Sequence, residues 1–298
     1  MYTIDNVIVK GAKVPLCIYP DRDNFSCDEK RYHILFIEKG SGSISYHGRK
    51  ELFMGPLLFC LNEEEIPSLI KGNHLSYRSL YFSPEYINNR FTFDNLREPE
   101  GDFTLTDIRD RHWLRVFFER TESYFGRLCI TMALAGRIGK LFDQIDKQLK
   151  LQPDGYWTCR ARSFLIELLF LTEQCWMLED NSSRLFAAGY SEEIDNIILY
   201  LYSNYSNKIS ISELASKFHI DRTTLTKRFK EEVGDTIINS LIKLRVNLAA
   251  GMLRDTGIPI SEIMYRAGFS DLSYFYRTFK KYTSHNPSEY RQHYSILL

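Results

Sequence analysis

A chain of 298 residues, 44% apolar and 26% charged, is long enough for two packed domains and too apolar for a disordered tail. Lysine plus arginine and aspartate plus glutamate both total 38, which excludes a simple polyelectrolyte binder; residues 205–298 nevertheless carry 14 basic against 9 acidic side chains, so that third suits a polyanion. The longest apolar run, Phe164–Leu171, contains Glu167, and the N-terminus MYTIDNVIVK lacks a basic region ahead of an apolar core, so a cytoplasmic protein without a membrane partner is expected.

From Thr3 to about Phe82 the sequence reads as short strands. Tyr32–Glu38 (YHILFIE) is predicted to end at Lys39-Gly40-Ser41-Gly42. Ser43–His47 alternates around Ile44 and Tyr46, His47-Gly48-Arg49 makes a turn, and Leu57–Leu61 and Ser76–Phe82 supply further strands. Strands this short, punctuated by glycine, argue for a small sandwich or barrel. The six cysteines lie between Cys17 and Cys175 with no C-x-x-C pair or metal-like spacing; they are expected to be reduced and mostly buried.

Beyond Trp113 the period changes. Leu134, Ile138, Leu141, Ile145 and Leu149 recur at three and four residues, the pattern of a helix with one apolar stripe. Arg160–Leu178 reads as a second helix, apolar on most of its circumference; burial within its own domain and a subunit interface are both open readings. Glu179-Asp180-Asn181-Ser182-Ser183 begins a polar stretch running to Gly189 that suits a linker. The expected domains are 1–112, 113–189 and 190–298.

The C-terminal third contains one unit twice, ISELASKFHIDRTTLTKRFK at 211–230 and ISEIMYRAGFSDLSYFYRTFK at 260–280, with one residue inserted in the second turn. Each copy reads as helix, tight turn, helix. Ser210 and Glu213 are placed for an S-x-x-E capping box, Asp221 for the N-cap of the next helix, Gly268 for the second turn and Ser270 or Asp271 for its cap. Leu225, Phe229 and Val233 share an inner face in copy one, with Thr223, Thr226, Lys227 and Lys230 outside. In copy two Leu272, Phe275, Phe279 and Tyr282 are predicted inside, with Ser273, Tyr274, Arg277, Lys280 and Lys281 outside. Short hydroxyls and arginine can bond base edges in a major groove, and lysines at the rim suit phosphates.

These residues resemble the AraC/XylS family of transcription regulators. The likeness runs from ISISELASKFHIDRTTLTKRFKEEVG (209–234), through Leu244-Arg245, Ala249 and Leu253, to RAGFSDLSYFYRTFKKYT (266–283) and PSEYR (287–291). It implies two helix-turn-helix units at opposite ends of a long helix, inserted in successive major grooves of double-stranded DNA. Family base-contacting positions fall on Thr223, Thr226 and Lys227 and on Ser273, Tyr274 and Arg277. Arg228 stands where the family has an apolar residue, Met264 where it has alanine, Pro259 where it has a capping serine, and Ser284 where it has glycine.

YHILFIEKGSGSI (32–44) more weakly resembles the family's cupin-like sensor. The expected fold is therefore α+β with two domains: an N-terminal cupin-like β-barrel with a helical dimerisation segment, and a C-terminal all-α double helix-turn-helix domain. His33, His47 and His74 are scattered with no H-x-H pair, which argues against a metal site. No cofactor or catalytic residue is expected. Tyr32, His33, Tyr46, Tyr77 and Tyr81 could line a pocket for a sugar or similar small-molecule effector, or be packing residues. The resemblance implies a homodimer, with RNA polymerase as a further partner. A cupin-type enzyme tethered to DNA and an effector-independent dimeric regulator stay open as alternatives.

Overall fold

The computed structural model describes residues 2–20, 29–46, 48–98, 103–121, 124–130, 132–177 and 190–295. The expected linker at Glu179–Gly189, the turn residue His47 and Cys27 lie outside them. The chain forms two compact units, built in the main from residues 1–184 and 185–298.

The first unit opens with β1 (Thr3–Ile4) paired to β2 (Lys13–Val14). Six more strands follow: β3 (Leu16–Pro20), β4 (Tyr32–Tyr46), β5 (Arg49–Met54), β6 (Leu57–Leu61), β7 (Ser68–Phe82) and, after two helices, β8 (Arg127–Cys129). They form one sheet in the order β3-β7-β4-β6-β8, with β5 on β4. This path does not close among the described residues, so the sheet is open where a barrel is expected. Much of the pairing is one long antiparallel pair, β4 on β7 from Tyr32↔Phe82 to Ser45↔Ser68, formed by strands that β5 and β6 separate in the chain.

The predicted turn at Lys39–Gly42 is likewise absent, because β4 runs straight through it. Register shifts between Ile37 and Lys39, Lys39 and Ser41, and Ser43 and Ile44 absorb the irregularity as bulges. Gly40 sits at φ +92°, and a Cβ there would stand 2.5 Å from the His74 carbonyl oxygen. The glycine signal is real but marks a close backbone approach within a strand.

Every residue of β6 is buried. Tyr32 is fully buried, stacked on Phe117 with ring centroids 4.8 Å apart. Phe117 belongs to α2 (Leu105–Phe118), which follows the short α1 (Phe93–Arg97). A capping box between Thr104 and Asp107 starts α2. The buried Asp107 carboxylate also accepts from Asn88 Nδ2 at 2.8 Å and Arg90 Nη1 at 2.6 Å.

Two long helices complete the unit, α3 (Met132–Leu151) and α4 (Trp157–Met177). The three-and-four spacing read from the sequence is the buried stripe of α3, through Ile138, Leu141, Ile145 and Leu149. In α4, Leu165, Leu168, Leu169 and Leu171 are buried, but Ser163, Phe170 and Met177 are exposed and Ile166 is half-buried. Burial within the unit therefore accounts for one side of α4 and leaves Phe170 and Met177 outside among polar residues such as Ser163 and Gln174. Among the cysteines, Cys17 and Cys60 are buried but Cys129 and Cys159 are exposed, against the expectation of general burial. Both exposed thiols lie at positions facing outward from the core. Among the described residues no helix is long and apolar enough to cross a membrane.

The second unit is all helix: α5 (Glu192–Asn204), α6 (Ile211–Phe218), α7 (Arg222–Val233), α8 (Ile237–Asp255), α9 (Ile260–Arg266), α10 (Leu272–Thr283) and α11 (Pro287–Tyr294). It holds two cores. Ile197, Leu214, Leu225, Phe229 and Leu241 fill the first, and Ala249, Leu253, Ile263, Phe275 and Phe279 the second. Helix α8 contributes its N-terminal half to one and its C-terminal half to the other.

Candidate nucleic-acid interface

Each helix-turn-helix is built by local signals. The Ser210 hydroxyl accepts from the Glu213 backbone N–H at 3.2 Å and so starts α6. The reciprocal half of the predicted capping box is replaced: the Glu213 carboxylate takes the Tyr200 hydroxyl at 2.9 Å, since α5 brings that phenol within reach. His219 (φ +55°) and Gly268 (φ +85°) both take the left-handed conformation in the two turns. Asp221 then caps α7 by accepting from Thr224 N–H, and Asp271 caps α10 by accepting from Tyr274 N–H. Hydrogen bonds from the Thr224 hydroxyl and then from its backbone N–H hold the Asp221 carboxyl below its usual pKa. Asp271, rather than Ser270, is the cap.

The departures from the family pattern find local solutions. Arg228 turns towards α5 and pairs with Glu193 at 2.5 Å. Met264 is buried in the second core. Pro259 precedes α9 with no side-chain cap, and Ser284 ends α10 at φ +65°. In PSEYR, Pro287 opens α11 behind an Asn286–Glu289 capping box, and Arg291 donates to the Ile258 carbonyl at 2.6 Å.

The proposed reading residues share one face of each second helix. Thr223, Lys227 and Lys230 are exposed on α7, while Thr226 is half-buried with its hydroxyl donating to the Arg222 carbonyl. Ser273, Tyr274, Arg277 and Lys280 are all exposed on α10. The Arg277 guanidinium lies over the Tyr274 ring, 5.9 Å from its centroid, which steadies a long side chain on the outer face. Lys227 has Glu231 at 3.9 Å one turn on. Leu272 departs from expectation: it is 47% exposed rather than inside, because the first turn of α10 projects past the edge of the core.

Sequence reasoning passed over Arg245 except as part of a motif. On α8 its Nε donates to the Tyr205 carbonyl at 2.7 Å and its Nη2 to the Asn207 carbonyl at 2.8 Å. Burial lowers its pKa, and the nearby Tyr274 acts in the opposite sense. An arginine between the apolar Leu244 and Val246 was the available signal.

In the first unit the candidate pocket residues are packing groups. Tyr32, Tyr46, Tyr77 and Tyr81 are all buried, and the Tyr46 hydroxyl donates to the Phe125 carbonyl at 2.8 Å. His33 stacks on Tyr81 at 4.2 Å, and burial pushes its pKa down to about 3, so it is neutral. The polar cavity beside it, with Asn62, Glu63 and Glu65, has about 20 Å³, room for one water. Among the described residues no three histidine, cysteine or acidic side chains are grouped to hold a metal.

A helix-turn-helix domain family matches residues 214–293. The xylose operon regulatory protein of Escherichia coli K12 is 36% identical over 294 residues, covering 92% of this chain and 73% of that protein. An uncharacterized HTH-type transcriptional regulator from Pseudoalteromonas carrageenovora is 32% identical over 102 residues, 34% of this chain and 60% of its own length. The structure of the xylose-binding transcription activator xylR is similar over 45% of this chain and 40% of its own, at 26% identity and a TM-score of 0.35. With likeness of that extent to a xylose operon regulator, and two helix-turn-helix units present in the fold, the chain belongs to the AraC/XylS family of DNA-binding transcription regulators.

Proposed function

We propose that the protein reads two successive major grooves on one side of a DNA duplex, through Thr223, Thr226, Lys227 and Lys230 in one and Ser273, Tyr274, Arg277 and Lys280 in the other. The observation that carries this reading is the pair of capped helices, each with an exposed hydroxyl-and-cation face, joined by a single helix that enters both cores. Arginine and lysine can bond guanine O6 and N7, and the lysines nearer the C-terminal ends suit phosphates.

The first unit is assigned dimerisation and response to a small molecule. The outer seam of α4, exposed Ser163, Phe170 and Met177 with half-buried Ile166, steps by three, four and seven residues, the spacing by which two helices interlock. The xylose in the name of a relative supports a sugar as the effector class. The cavity beside His33 is too small for a sugar, so on this reading the sugar site lies elsewhere in the unit or opens on binding. RNA polymerase is the further partner on this reading, and the cell interior its location.

Selection of bound duplexes from a random pool by the full chain tests the two-groove reading. Two half-motifs about 10 base pairs apart are expected, since successive grooves on one face lie one turn apart. Lys227→Ala and Arg277→Ala should alter preference in different half-motifs; alteration at the same base pairs would overturn the assignment.

A further inference from the structure

The two helix-turn-helix units meet at one guanidinium. Tyr205 and Asn207, whose carbonyls Arg245 binds, lie in the connection from α5 to α6, the segment that leads directly into the first helix-turn-helix. These carbonyls lie past the end of α5 at Asn204, where a helix leaves its last carbonyls to be satisfied from outside. The same guanidinium lies over the Phe269 ring, 5.9 Å from its centroid. Phe269 and its neighbour Gly268 form the turn of the second helix-turn-helix. A Cβ at Gly268 would stand 2.6 Å from the Tyr205 carbonyl oxygen and 2.9 Å from Arg245 Nε, so the second turn is seated directly on the loop leading into the first helix-turn-helix. From Phe269 the contacts continue to Tyr274, ring centroids 6.1 Å apart, and from Tyr274 to Arg277.

We propose that Arg245 is a positioning residue that locks the loop entering the first helix-turn-helix to the turn of the second, and thereby sets how many base pairs may separate the two half-motifs the protein accepts. The inference rests on the two-groove reading above. A planar fork that donates to two carbonyls along one edge and lays its face over an aromatic ring is a task for arginine; a lysine ammonium supplies neither the fork nor the plane. With the tie cut, α8 is left as the main connection between two separate cores, and the angle between α7 and α10 is less closely held. A looser angle lets both helices engage sites whose spacing the intact protein rejects.

The test uses the full chain and the duplex selected above, with one base pair added or removed between the half-motifs. The intact protein should prefer the selected spacing by about tenfold, the scale of a single mismatched pair. Arg245→Gln and Arg245→Lys should bring that preference to about threefold or less while base preferences inside each half-motif persist. A variant that discriminates spacing as the parent does overturns the proposal, and so does an equal loss of affinity at every spacing, which is what a merely structural residue would produce. Should Arg245→Gln fail to fold, Arg245→Lys, which retains the charge without the planar fork, decides. If the parent itself shows no spacing preference, the two-groove reading fails first.

Discussion

Gly234 and Ser284 occupy equivalent positions at the ends of the two recognition helices, both left-handed, with φ of +77° and +65°. Each N–H closes its helix, on the Lys230 and Lys280 carbonyls at 3.0 and 2.9 Å. Glycine adopts this conformation freely, whereas a residue with a Cβ is strained by roughly 1–2 kcal/mol. Ser284→Gly should therefore stabilise the second unit by about 1 kcal/mol after the entropy of the freer unfolded chain is set against it, or roughly 4 °C in midpoint. Thermal unfolding followed by circular dichroism checks this; an unchanged or lower midpoint refutes it.

Reading and holding should separate on α10. Arg277→Ala is expected to relax preference at one or two base pairs by about 1–3 kcal/mol and leave non-specific binding nearly intact. Lys280, one turn nearer the C-terminus, is expected to contact phosphate, so Lys280→Ala should weaken all sequences alike and reduce the salt slope by about one. Titrations of matched and mismatched duplexes at several salt concentrations measure both.

The seam on α4 predicts the oligomeric state. Phe170 is 42% exposed, so a charge introduced there can stay in solvent, at the loss of its ring contact with Trp113 4.5 Å away, while opposing its own copy across a dimer seam. Phe170→Glu should convert a dimer to a monomer at micromolar concentration with its unfolding midpoint nearly kept. Sedimentation of the parent and variant decides, and a variant that remains dimeric places the interface elsewhere.

Asp107 makes the first unit acid-sensitive. Hydrogen bonds from the Thr104 backbone and hydroxyl, then Asn88, and the charge of Arg90 hold its carboxyl below its usual pKa. A carboxylate whose folded pKa is depressed stabilises the fold above its unfolded value of about 3.9, and that contribution is lost as pH falls through the folded pKa. Asp107→Asn should thus be less stable than the parent at neutral pH, with the gap narrowing below about pH 4. Midpoints measured across pH provide the check; a gap constant with pH rules out the charge as the cause.

The double helix-turn-helix was legible because its signals are local. A capping aspartate, a turn residue and a three-four apolar spacing act within about a dozen residues, and their duplication removes the ambiguity of any one copy. Asp221 and Gly268 could be placed from the sequence for that reason, and the cap of α10 narrowed to Ser270 or Asp271. The strands were less legible. Gly40 and Gly42 carry the same turn signal that ends a strand elsewhere, and only the partner strand β7, with the His74 carbonyl pressed against Gly40, makes the site a bulge.

What the sequence by itself determined is thus the helical unit: its repeated helix-turn-helix plan, the caps at Ser210 and Asp221, and the side of each second helix that carries Thr223, Lys227, Ser273 and Arg277 outward. Tertiary structure alone decided the rest. The open path of the sheet, the outer seam of α4 and the seating of Arg245 between Tyr205, Asn207 and Phe269 all depend on which distant segments meet. Periodicity records how a helix divides into faces, but a contact across 40 residues leaves no period to read.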